Sequence, residues 1–74
     1  MSVPTVLITD FLTKDEIDRA IRLYNEAAPG TFARRCDEEI IAPVIDRINR
    51  KLGQENDSRY LAYAVEYVFN QSRQ

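Results

Sequence analysis

Ile40, Ile41, Val44, Ile45, Ile48 and Leu52 recur at the three- and four-residue spacing that sets side chains on one face of an α-helix, and Pro43 stands among them. A proline inside a helix has no amide to donate, and its ring clashes with the carbonyl four residues back, so this segment must bend or split. An earlier apolar group, Phe32, Ala33 and Cys36, lies about a quarter turn from that stripe if one straight helix is drawn through both. The two groups can face one core only if the helix is interrupted between Cys36 and Pro43. Asp37-Glu38-Glu39 suits a helix start electrostatically, so either it or Pro43 marks the discontinuity. Thr31 is placed to cap the first part, and Gly53 to stop the second after the basic residues Arg47, Arg50 and Lys51.

Two further helices flank this one. Thr13-Lys14-Asp15-Glu16 is a capping box, with Leu12 and Ile17 at the staple positions around it. Ile17, Ala20, Ile21, Tyr24, Ala27 and Ala28 then share a face, with Leu23 at its margin, and Pro29-Gly30 ends the helix. After a polar loop with three possible caps, Asn56, Asp57 and Ser58, a last helix runs from Tyr60 to Asn70. Its apolar residues spread widely: Leu61, Ala64, Val65 and Val68 form one stripe with Phe69 at the edge, and Tyr60, Tyr63 and Tyr67 an adjoining one. Arg59, Ala62, Glu66 and Asn70 are left for solvent. At the amino end, Thr5 to Thr9 is β-branched and extended in character. The expectation is an all-α or nearly all-α domain spanning residues 1–74. It is a three-helix bundle whose second helix is bent or split near Pro43, with an extended segment over residues 1–12 and a frayed tail over 71–74. Its core centres on Ile17, Ile21, Tyr24, Ile41, Val44, Ile45, Ile48, Leu61, Val65 and Val68.

Composition bears mainly on function. Histidine is absent and Cys36 is the single cysteine among 74 residues, so the usual neutral-pH proton shuttle, the usual nitrogen ligands and an internal disulfide are all missing. No catalytic residue, cofactor site or metal site is assigned, and no small-molecule substrate is expected. A small chain without disulfides suits a reducing compartment. The start Met1-Ser2-Val3-Pro4 lacks a signal-peptide pattern, and no stretch is long and apolar enough for membrane insertion. The expected location is therefore the cytoplasm. Cys36, at helical spacing from Phe32 and Ile40, reads as buried and inert.

Two surfaces remain as candidates. Tyr60, Tyr63 and Tyr67 fall at i, i+3 and i+7, and tyrosines are enriched at interfaces because their rings bury area while the hydroxyl keeps a hydrogen bond. The alternative is that they pack on the core rim with hydroxyls in water. An unpaired strand seeks a partner, so Val6, Leu7 and Ile8 join Tyr60, Tyr63, Tyr67 and Phe69 as the expected interface. The second candidate is the basic cluster Arg47, Arg50 and Lys51, which would serve a small nucleic-acid-associated regulatory factor. Against it stands the charge of the whole chain, 10 basic to 12 acidic residues, where nucleic-acid binders show a basic face.

Val6-Leu7-Ile8-Thr9-Asp10-Phe11-Leu12-Thr13-Lys14-Asp15-Glu16-Ile17 resembles the strand-to-helix entry of prolyl-hydroxylase-type dioxygenases. Those enzymes hold iron with two histidines and an acidic residue, and this chain has no histidine, so the likeness ends at a strand, a cap and a helix start. Residues Glu55-Asn56-Asp57-Ser58-Arg59-Tyr60-Leu61-Ala62-Tyr63-Ala64-Val65-Glu66-Tyr67 are similar in cadence to short uncharacterised helical proteins of cyanobacteria, which implies nothing about activity. The function expected from the residues is a non-enzymatic protein-interaction or regulatory module, self-associating as a homodimer or docking on a larger protein through the last helix.

Overall fold

A computed structural model describes residues 8–73 of the chain. The capping box forms as the sequence predicts: the Thr13 amide donates to Glu16 Oε1 at 2.9 Å and the Glu16 amide donates to Thr13 Oγ1 at 3.2 Å. Helix α1 (Lys14–Glu26) follows. Its buried face is turned roughly 60° from the one that apolar spacing alone picks out. Glu16, Ala20 and Leu23 point inward, while Ile21, expected in the core, is 43% exposed. The cause is Glu16. Arg47 donates to it through both terminal nitrogens, at 2.8 and 2.6 Å, so a carboxylate can lie inside and the helix rolls to put it there.

The second helix is one bent path in four pieces: α2 (Phe32–Cys36), a wide π turn (Asp37–Ile41), a 3-10 turn (Ala42–Val44) and α3 (Ile45–Leu52). Both the break and its purpose follow from the sequence. A π turn holds one residue more than an α turn and so sets the side-chain phase back by about 100°. That is the quarter turn separating the Phe32 and Cys36 group from the Ile40 stripe, and Phe32, Cys36, Ile40, Ile41 and Ile48 all enter a single core. Pro43 lacks the amide that would have met the Glu39 carbonyl, and Arg19 of α1 donates to that oxygen at 3.2 Å. Thr31 begins α2 but does not cap it with its side chain; its hydroxyl donates backwards to the Ala28 carbonyl at 2.7 Å.

Gly53 ends α3 in the left-handed region (φ 73°), and its amide and that of Gln54 both donate to the Asn49 carbonyl. The Asn49 side chain then fixes the loop by accepting the Asn56 amide at 2.9 Å. Nothing lies within 4 Å of a Cβ placed on Gly53, so only the backbone opposes a side chain there. Gly53→Ala should therefore lower stability by about 1 kcal/mol in a urea titration, whereas a neutral result would mean that the left-handed cap is not held.

Asp57 caps α4 (Ser58–Ser72), accepting the Arg59 amide at 2.8 Å. Where fraying was expected from Gln71, α4 runs on to Ser72. Arg73 then lies over the Tyr24 ring at 4.7 Å and donates to Asn25 at 3.0 Å. At this end α1, α2 and α4 are joined by Tyr24, Phe32 and Phe69, whose ring centres lie 5.1–5.8 Å apart. The Tyr24 hydroxyl donates to Asn70.

The fold is thus all-helical across the described residues, with the bent second helix expected. The extended amino-terminal segment is corrected where it is described: Ile8–Asp10 is a 3-10 turn, closed by the Phe11 and Leu12 amides donating to the Ile8 carbonyl. Phe11 and Leu12 are buried at 1% and 3% exposure, and with Ile41, Ile48, Leu61 and Val65 they make the centre of the core. Ile17, Tyr24, Val44, Ile45 and Val68 are half-buried around it. Among the described residues no helix is long and apolar enough to cross a membrane.

Candidate functional site

Helix α4 meets the core through Leu61, Ala62, Val65 and Phe69. At about 100° per residue, Tyr60, Tyr63 and Tyr67 fall on the diametrically opposite side. They are 50%, 61% and 47% exposed, so they stand neither in the core nor on its rim. The sequence places their stripe beside the aliphatic one and gives Ala62 to solvent; in the structure Ala62 is fully buried. The difference comes from the neighbours. The helix docks through one of its two alanines, Ala62, and the ring of Phe69, and this turns the tyrosines outward.

Phe69, expected at the interface, belongs instead to the aromatic triad of the core. Of the amino-terminal interface residues, Val6 and Leu7 lie outside the described residues, and Ile8 packs half-buried against the chain's own core. The tyrosine row is therefore what the structure leaves exposed from that set.

A groove of about 330 Å³ opens beside the row, lined by Ala33, Arg34, Asp37 and Glu38 from the second helix and by Arg59 and Tyr63 from α4. The π turn shapes this wall, because it carries Asp37 and Glu38 away from the buried line of Cys36 and Ile40. Two cations and two anions thus surround one aromatic ring. Among the described residues none of the four forms an ion pair within the chain, since the ion pairs are Arg35 with Glu39 and Arg47 with Glu16. Asp37 Oδ1 is buried and accepts no hydrogen bond. In the sequence Asp37-Glu38-Glu39 reads only as a helix start, and nothing there connects it with Arg34. Their meeting with Arg59 and Tyr63 depends on the docking of two elements far apart in the chain.

A second depression, of about 290 Å³, lies between α1 and the second helix and is lined by Arg19, Arg22, Leu23, Glu26, Arg35 and Glu39. Three of its five charged side chains are engaged in holding the fold, Arg35 with the Glu39 carboxylate at 2.9 Å and Arg19 with the Glu39 carbonyl. The basic cluster Arg47, Arg50 and Lys51 is also divided. Arg47 is committed to Glu16 and to the Phe11 carbonyl, which leaves Arg50 and Lys51 exposed.

Cys36 is fully buried, and burial together with the nearby carboxylates of Asp37, Glu66 and Glu39 pushes its thiol up to about 12. It stays protonated and a poor nucleophile at neutral pH. Among the described residues no three Cys, Asp or Glu side chains gather as metal ligands would. Compared with known protein families, with curated proteins and with solved structures, the chain matches none.

Proposed function

We propose that this chain is a non-enzymatic protein-interaction module of the cytoplasm, and that it docks through the outer face of α4 and the groove beside it. The observation that carries this reading is the row Tyr60, Tyr63 and Tyr67, three large rings about half exposed on a helix whose opposite side already completes the core. Rings of this kind supply contact area at low cost in side-chain entropy, and their hydroxyls keep hydrogen bonds at a wet rim. The nucleic-acid alternative is disfavoured because Arg47 is held by Glu16 and because Asp37 and Glu38 stand beside the only exposed aromatic row of the described residues.

Two measurements test the reading. Tyr63→Ser with Tyr67→Ser should change stability by less than about 1 kcal/mol, as surface substitutions do, whereas a loss above about 2 kcal/mol would return the rings to the core. A photo-reactive phenylalanine analogue at position 63, introduced in living cells, should give a discrete protein adduct that disappears with Tyr67→Ser. The same probe at exposed Arg22 of α1 serves as the control. Equal labelling from both positions would overturn the proposal.

A further inference from the structure

Resting on that reading of the α4 face, we infer that the partner is a second copy of this chain, joined by a two-fold interface centred on Tyr63. A two-fold interface brings one patch onto itself, so the patch must carry both halves of every complementary pair. The groove meets that demand. Arg34 and Arg59 supply two positive charges and Asp37 and Glu38 two negative ones, and within the chain they are not paired with one another. A strongly acidic or strongly basic partner would satisfy half of them and repel the rest.

The helix row has the matching symmetry. Tyr60 and Tyr67 stand on either side of Tyr63 and Ala64, so two α4 helices crossing antiparallel there set Tyr60 of one copy against Tyr67 of the other. Ala64 borders that arc, half-buried beside Tyr60, and is small enough to let the axes approach. The crossing also carries the arginines of each groove towards the carboxylates of the other. Three rings and four partly solvated charges make a small patch of the kind found in weak, reversible contacts, so self-association is sought at micromolar concentration and above.

Sedimentation velocity on the purified chain, from about 5 to about 500 micromolar, should show a mass rising from 8.6 kDa towards twice that value. Arg34→Glu with Arg59→Glu makes the lining all acidic, and Glu38→Lys makes it predominantly basic. These positions are exposed, and both variants should keep the helical circular-dichroism spectrum of the native chain. Each alone should self-associate at least about tenfold more weakly, and an equimolar mixture should recover the dimer as a mixed pair. Variants that dimerise as well as the native chain, or a dimer that survives Tyr63→Ser with Tyr67→Ser, would overturn the inference. So would a native chain that stays monomeric throughout. In that last case an adduct with a different protein at position 63 would leave the docking face standing without the second copy, whereas labelling no greater than at position 22 would remove both.

Discussion

Phe11→Ala is expected to lower the stability of this chain by about 3–4 kcal/mol, the cost of deleting a buried ring and leaving a cavity. A domain of this length has roughly 4–11 kcal/mol in total, so the variant should sit near the edge of unfolding at room temperature, with a Tm lower by about 15 °C or more. The reason lies in the turn at Ile8–Asp10. By closing on the Ile8 carbonyl it folds Phe11 and Leu12 back under the helices, and Phe11 becomes one of the largest fully buried side chains. Ile21→Ala is the matched control. That side chain is 43% exposed, and its truncation should cost under about 1 kcal/mol despite its place on the apolar stripe of α1. Equal losses in the two variants, measured by urea unfolding, would show that residues 8–12 lie outside the cooperative core.

The second large effect belongs to Glu16 and Arg47. The Arg47 guanidinium holds the Glu16 carboxyl below the usual carboxylate range; burial opposes this, and the Thr13 amide adds to it. Arg47→Met removes the partner of a carboxylate that is only 8% exposed and should cost about 2 kcal/mol at pH 7. The figure is below that of a fully buried pair because the Arg47 side chain is 44% exposed and water reaches the gap. The pH dependence gives the sharper check. A carboxyl that is more acidic in the folded state contributes stability fully above its unfolded value, near 4.5, and loses that contribution as pH falls through its lower folded value. In Arg47→Met only burial and the local cap bonds act on Glu16, so its acidity falls. The stability gap between native chain and variant should therefore be widest near neutrality and should narrow below about pH 4.5. A gap constant from pH 7 to pH 3 would mean that the ion pair contributes nothing and Arg47 acts by packing alone.

The capping box could be read directly because it is a local exchange of two hydrogen bonds across three residues, with no distant partner needed. The bend was equally legible: a missing amide at Pro43 and a quarter-turn mismatch between apolar groups both belong to one segment. The roll of α1 was hidden, because spacing rules count Glu16 as polar and outward, and only Arg47, 31 residues away, allows it inside. For the same reason Leu23 replaced Ile21 in the core. The candidate surface was half legible. The i, i+3, i+7 spacing put the tyrosines on one side of α4, but spacing does not say which side the rest of the protein will cover.

The sequence by itself determined three helical stripes, their caps and stops, and the place where the second helix must change pitch, because all of these arise from bonds and clashes within a few residues. Tertiary structure alone decided which edge of each stripe faces inward. Burial depends on the shape and charge of whatever packs opposite, and here Arg47, Phe11 and the ring of Phe69 are those neighbours. They turn Glu16 and Ala62 into the interior and leave Tyr60, Tyr63 and Tyr67 outside, beside a groove of balanced charge.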